Sequence, residues 1–193
     1  MASVLDGRSV VVTGASSGIG AAVTRALAAE GARLTIGARR VERLERLAEE
    51  IGVDRVTVVK TDMRVEEDVV RLIAAARDRF GGVDALVNNA GLGRRAPVSS
   101  APTELWREML ETNVLGLLIA TREAVQDMER RKVAGYVDTE FAEVFVGPGG
   151  APQPPRIMQL TADDVARAVV WIVTQPPHVE VHDVLLRPTQ QKN

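Results

Sequence analysis

The residues most able to do chemistry in this chain sit close to its amino terminus, in Thr13-Gly14-Ala15-Ser16-Ser17-Gly18-Ile19-Gly20. A glycine lets the chain turn sharply at Gly14, lets backbone approach a pyrophosphate at Gly18, and permits close helix–strand packing at Gly20. The helix that follows presents free N–H groups and the positive end of its dipole to the phosphates. Gly14, Ser16, Ser17, Gly18, Ile19 and Gly20 are therefore candidate cofactor-binding residues. The same run also fits Gly-x-Ser-x-Gly, the nucleophile elbow of a hydrolase, with Asp163 or Asp164 and His178 or His182 following in the matching order. An elbow has no need of Gly20 and usually follows several strands, so the phosphate-binding loop is favoured.

A second group lies at Thr35-Ile36-Gly37-Ala38-Arg39-Arg40. A site for NAD usually ends its second strand on an Asp or Glu that holds the ribose 2′-hydroxyl. Here there is no acid. An acid would repel a 2′-phosphate, whereas Arg39 can bind one through two parallel hydrogen bonds, so the expected cofactor is NADP. Arg40 stands with it as a candidate, although it also suits a solvated arginine at a helix start.

These residues need a strand–turn–helix frame, and the chain supplies one. Ser9–Thr13 is a short Val-rich run, and residues 17–30 are rich in Ala and Leu up to Gly31. A second strand follows at Arg33–Ile36. Val41, Leu44, Leu47, Ala48 and Ile51 recur at helical spacing before Gly52. Arg55–Lys60 reads as a third strand, and Glu66–Phe80 as a helix with Val69, Ile73, Ala76 and Phe80 on one stripe. Asp84–Asn88 is a fourth strand, and a long helix is expected over about 102–131. Such alternation predicts an α/β fold, a doubly wound parallel sheet of the Rossmann type. Residues 136–160 carry four prolines and three of the chain's glycines and read as loop. Thr161 with Asp164 resembles a capping box that opens a helix to about Thr174, and 179–187 reads as a final strand. The whole is expected to be a single dinucleotide-binding domain over 1–193.

The glycine loop, with Asp62 after the third strand and Asn88-Asn89-Ala90-Gly91 after the fourth, resembles the classical short-chain dehydrogenase/reductase superfamily. The resemblance runs over about residues 5–130. It implies that Asp62 and Met63 lie near the adenine and that Asn89, Ala90 and Gly91 lie along the nicotinamide side. It implies also that Asn113 is the catalytic helix Asn, which kinks its helix and anchors a proton-relay water. Gly135-Tyr136-Val137-Asp138-Thr139 resembles the family's Pro-Gly-x-Val-x-Thr segment, which makes Thr139 a further cofactor-binding candidate. The activity implied is hydride transfer between NADP(H) and a small-molecule carbonyl or alcohol, by a homo-oligomer that assembles through the long helix.

The same resemblance exposes a gap. The family's chemistry uses a Ser, a Tyr and a Lys four residues after the Tyr, where the ammonium can lower the phenol pKa. This chain has no Ser after Ser100, its one Tyr is Tyr136 with Glu140 four residues on, and no Tyr-x-x-x-Lys occurs. Two places that the family keeps apart meet near Gly135, so two strands and one helix, roughly 50 residues by the family's pattern, are expected to be missing. Losing both strands would bare the apolar faces built to pack on them. That favours a chain lacking an internal segment of a normal enzyme, over an inactive NADP-binding protein shaped by a genuine deletion.

Composition adds bounds. The 193 residues carry 24 Lys plus Arg, 26 Asp plus Glu and no Cys, with a mean hydropathy of +0.01. A net charge of −2 gives no field for nucleic acid. No stretch approaches a membrane span and no secretion signal is evident, so a cytoplasmic protein without membrane or nucleic-acid partners is expected. His178 and His182 lie on an expected strand about 13 Å apart, too far to share an ion, and no metal site is expected. Arg94-Arg95 could meet an anionic substrate but suits a solvated loop better. Trp106 and Met109 are assigned to packing or an interface.

Overall fold

In the computed structural model, residues 5–131 and 161–176, with 179, 181 and 184, are described. Val10, Val11 and Val12 of β1 (Ser9–Thr13) are fully buried. A run of β-branched residues with no polar alternation is what a strand covered on both faces requires. β1 pairs in parallel with β2 (Arg33–Ala38) on one side and β4 (Ala85–Val87) on the other, and β2 pairs in parallel with β3 (Val56–Lys60). The order is β3-β2-β1-β4 among the described residues. The chain reverses direction across the sheet between β1 and β4, and the crevice at such a point is where open α/β sheets bind ligands.

The pleat sorts the core into two halves. Val10 and Val12 face a cluster with Val23 and Leu27 of α1 (Gly18–Ala29), Leu44 and Leu47 of α2 (Val41–Ile51), and Ala166 and Val169 of α6 (Ala162–Val173). Val11 faces the opposite cluster, with Val69, Leu72 and Ile73 of α3 (Glu66–Phe80) and Ile119, Ala120 and Ala124 of α5 (Gly116–Arg131). Period 2 in the strand and period 3.6 in the helices meet on both faces.

β2 runs two residues beyond the expected Ile36, through Gly37 and Ala38 to the doorstep of Arg39. That continuation relies on Gly37, where a Cβ would stand 2.8 Å from both Leu72 and the Thr61 hydroxyl. β4 is shorter than the expected 84–88; just before it, Asp84 donates its N–H to the Ser9 carbonyl (2.8 Å) and accepts the Ser9 N–H with its carboxylate (2.9 Å). The long helix is interrupted: α4 (Thr103–Leu110) leads into a π-helical turn at Glu111–Leu115 before α5. The Thr161–Asp164 capping box forms in both directions, the Asp164 N–H donating to Thr161 Oγ1 (3.2 Å) and the Thr161 N–H to Asp164 Oδ2 (2.7 Å). The loop-rich segment 136–160, with Tyr136 and Thr139, lies outside the described residues, as does almost all of the final strand expected at 179–187.

Candidate functional site

At the carboxyl ends of the strands a cleft of about 570 Å³ opens over the glycine loop. That is within the usual range for a cofactor site. Its walls include Gly14, Ser16, Ser17, Ile19 and Gly20, then Arg39 and Arg40, then Asp62 and Met63, then Asn89, Ala90 and Gly91. Four separate stretches of sequence thus converge on one crevice, and Gly37, Ala38, Thr61, Leu92 and Thr112 complete it.

The loop's glycines are needed for distinct reasons. Gly14 has φ +69°, and a Cβ there would lie 2.7 Å from the Ala90 Cα. At Gly20 a Cβ would run into the Asn89 amide and the Gly14 carbonyl. Gly18 has φ +55° and nothing within 4 Å of its Cβ position, so the start of α1 meets open space. Ser17, at the N-cap, makes no side-chain bond to the first turn, which leaves those N–H groups to an incoming anion.

Thr13 joins the two central strands, a role its place beside the first glycine could have signalled. Its hydroxyl accepts the N–H groups of Asn89 and Ala90 (3.0 Å each) and donates to the Val87 carbonyl (3.3 Å). Asn89, expected along the nicotinamide side, lines the cleft but directs its amide backwards, donating to the carbonyls of Thr13 (3.0 Å) and Gly14 (3.2 Å). It holds the glycine turn in place.

The two arginines stand at the mouth of the cleft. Arg40 is exposed at the start of α2, and its guanidinium donates to the hydroxyls of Ser16 (3.1 Å) and Ser17 (2.8 Å), bridging the second strand's end to the glycine loop. Arg39 lines the same corner and is exposed. No acid stands there. The nearest carboxylate in the cleft wall, Asp62, is held by Arg64 (2.6 Å), and that guanidinium keeps its carboxyl below the ordinary value.

Asn113 sits within the π-helical turn and closes a two-bond pair with Leu92, accepting its N–H and donating to its carbonyl, both at 2.8 Å. Such turns recur at functional sites. In the described residues the side chain therefore positions the loop after β4. Gly116, one residue after the turn, is pressed so closely on Met63 that a Cβ would overlap its carbonyl.

The weaker candidates also find their places. Of the weighed triad, Ser16 accepts from Arg40 and Asp164 serves the cap of α6. Arg94 is held by Glu108 through two bonds (3.1 and 3.2 Å), as its exposed loop position did not foretell. No cluster of His, Asp or Glu among the described residues could hold a metal, and no described helix is long and apolar enough to cross a membrane. His178 and His182 lie outside the described residues. Arg131, in the last turn of α5, grips Asp127, Asp84 and the Val83 carbonyl, pinning α5 to the start of β4.

Comparison with known proteins agrees with this geometry. Residues 8–139 match the family model described as short chain dehydrogenase. "Dehydrogenase/reductase SDR family member 11" of Gallus gallus is 32% identical over 248 residues, covering 96% of this chain and 97% of the relative. The "Farnesol dehydrogenase" of Aedes aegypti is 31% identical, covering 96% and 98%. An alignment of 248 positions exceeds the 193 residues of this chain while reaching nearly both ends of each protein, so at least 55 internal positions of the Gallus relative have no counterpart here. Among solved structures, a 3-ketoacyl-(acyl-carrier-protein) reductase from Brucella melitensis complexed with NADH aligns with a TM-score of 0.63 at 34% identity. The match covers 66% of this chain and 52% of that one, so the shared fold spans about half of the solved relative.

Proposed function

This chain belongs to the short chain dehydrogenase family, and from that premise we propose that its cleft binds NADP(H) for an oxidoreductase that interconverts a carbonyl and an alcohol. The observation that carries the cofactor assignment is the Arg40–Ser16–Ser17 bridge. Two hydroxyls and a guanidinium converge beside a second guanidinium, Arg39, in a corner with no unpaired acid. That set suits a phosphate monoester on the 2′ position, whereas a bare 2′-hydroxyl would find no unpaired carboxylate there to accept its proton. The open Gly18 cradle at the start of α1 fits the pyrophosphate. NADP(H), when bound, supplies or accepts the hydride.

The remaining roles are assigned on the family resemblance. Asp62 and Met63 wall the adenine end, Ala90 and Gly91 the nicotinamide end, while Asn89 holds the glycine turn and Asn113 the loop after β4. Thr139 is assigned to the carboxamide on the family resemblance alone. The single-domain assignment over 1–193 belongs to the same proposal. Trp106, Leu110, Val114 and Leu118 lie along α4, the π-helical turn and α5, all at least 39% exposed. Such a stripe supports pairing with a second copy.

Reduction of a carbonyl also needs a proton donor, and the 193 residues hold no Tyr-x-x-x-Lys. The 55 or more internal positions present in the Gallus relative support assigning proton handling to a segment that this chain lacks. Two measurements test this. The 193-residue chain should bind NADPH yet leave it unoxidised against a panel of ketones and aldehydes. The protein purified from its native source should exceed 20.8 kDa and turn the panel over. A native mass of 20.8 kDa would instead favour the second reading, an NADP-binding protein with a genuine internal deletion. NADPH oxidation by the 193-residue chain would overturn both.

A further inference from the structure

The cleft is walled on its outer side by two loops that are far apart in sequence: 62–65 after β3 and 91–94 after β4. Each has its own local ties. In the first, the Asp62 carboxylate accepts from the Arg64 backbone N–H (3.1 Å) and the Arg64 guanidinium (3.0 and 2.6 Å). In the second, Leu92 is paired with Asn113, and the Arg94 N–H donates to the Met109 sulfur (3.3 Å). One side chain reaches both loops. Glu108, on α4, accepts two hydrogen bonds from Arg94 (3.1 and 3.2 Å) and forms an ion pair with Arg64 (3.6 Å). Its side chain is only 19% exposed, between two guanidinium groups exposed at 35% and 45%.

We propose that Glu108 is a positioning residue for the cofactor cleft: its single carboxylate straps the loop that carries Asp62 and Met63 to the loop that follows Gly91, and so fixes the width of the cleft. For the identity of the ligand the proposal rests on the NADP(H) reading; for the coupling of the loops it does not. An exposed ion pair holding one loop would contribute little. Glu108 differs because it accepts a two-bond fork from one side, faces a second cation on the other, and is largely covered. If it is lost, each loop keeps its local ties, and their separation is left to the π-helical turn, which meets Leu92 through Asn113 and Met63 through Gly116 but joins no side chain to both. The carboxylates also need their cations. Without Arg94 and Arg64, Glu108 and Asp62 would turn negative charge toward a cleft meant for phosphates.

The test compares the 193-residue chain with Glu108→Gln, Glu108→Asp and Arg94→Gln. Amide hydrogen exchange without ligand is followed in peptides covering 61–66 and 91–97, and NADPH is titrated by its fluorescence. Glu108→Gln should speed exchange in both peptides about fivefold and weaken NADPH by a similar factor, with the melting temperature held within about 2 °C. Arg94→Gln should loosen 91–97 alone, and Glu108→Asp should recover much of the protection in both. Exchange that is unchanged in either loop of Glu108→Gln overturns the proposal, as does a loss of protection spread over the whole fold. If the parent chain does not bind NADPH, the cofactor reading fails while the exchange result still decides the strap.

Discussion

Arg40 is the side chain on which the proposed choice of NADP(H) turns. It begins α2, yet its guanidinium turns back across the cleft to Ser16 and Ser17, so the groups that would meet a 2′-phosphate are already gathered. Arg40→Ala should weaken NADPH about tenfold or more while leaving NADH within about twofold, because only NADPH presents the phosphate. Competitive titration of the two nucleotides measures the ratio. The carboxylates make a second, independent forecast. Asp62 is lowered chiefly by its bond from Arg64, Asp68 by the backbone N–H of Asp62, and Asp164 by the backbone N–H of Thr161. Groups with lowered folded pKa values stabilise fully above their ordinary value of 3.8 and lose that contribution as pH falls through the lowered values. The melting temperature should therefore stay level from neutrality to about pH 5 and drop below about pH 4. A decline already complete at pH 5 would contradict it. At this scale the sequence disclosed residue types but not directions. Arg39 and Arg40 were both visible, yet nothing local reveals that Arg40 swings onto the serines. Asn89 was legible as a cleft residue, but its amide turns to the glycine backbone because Thr13 and Gly14 offer two carbonyls there.

At the scale of elements, the strand and helix pattern was readable because two periods reinforce each other. Val10–Val12 can only be a doubly covered strand, and the α3 stripe of Val69, Ile73 and Ala76 follows from the helical repeat with Leu72 added by the same face. Thr161 and Asp164 announced the start of α6 through chemistry that needs no tertiary contact. The π-helical turn at Glu111–Leu115 was not legible as such, since a single wider turn leaves the apolar spacing almost intact. Its use is positional: it delivers Asn113 to Leu92 and sets Gly116 on Met63. Gly116→Ala tests that delivery. Alanine favours a helix by about 1 kcal/mol over glycine, but here its Cβ must displace the Met63 backbone, and such overpacking costs about 1–3 kcal/mol. A net loss of up to about 2 kcal/mol in denaturant unfolding is expected, together with weaker NADPH binding as Met63 moves. A stabilised variant would mean that the helix and the β3 loop are not in register as described.

On the scale of the whole molecule, the described strands and helices gather around the glycine loop and its cleft. The parallel sheet, the glycine cradle and the arginine corner assemble from residues 5–131, and α6 returns from the far end of the sequence to cover α1. What the chain lacks is equally definite: no Tyr-x-x-x-Lys, and at least 55 fewer internal positions than the Gallus relative. The gap was legible because the family's proton chemistry fixes both residue types and spacing, so its absence can be read without a structure. Substrate choice was not, because it depends on surfaces that loops outside the cleft supply. The central claim is that this cleft, as the 193 residues build it, binds NADP(H). Calorimetric titration of the chain with NADPH and, in parallel, NADH addresses it most directly. Saturable binding of one NADPH per chain, at least about tenfold tighter than NADH, is the predicted result; no saturable binding to the folded chain, or equal affinity for the two, would contradict it.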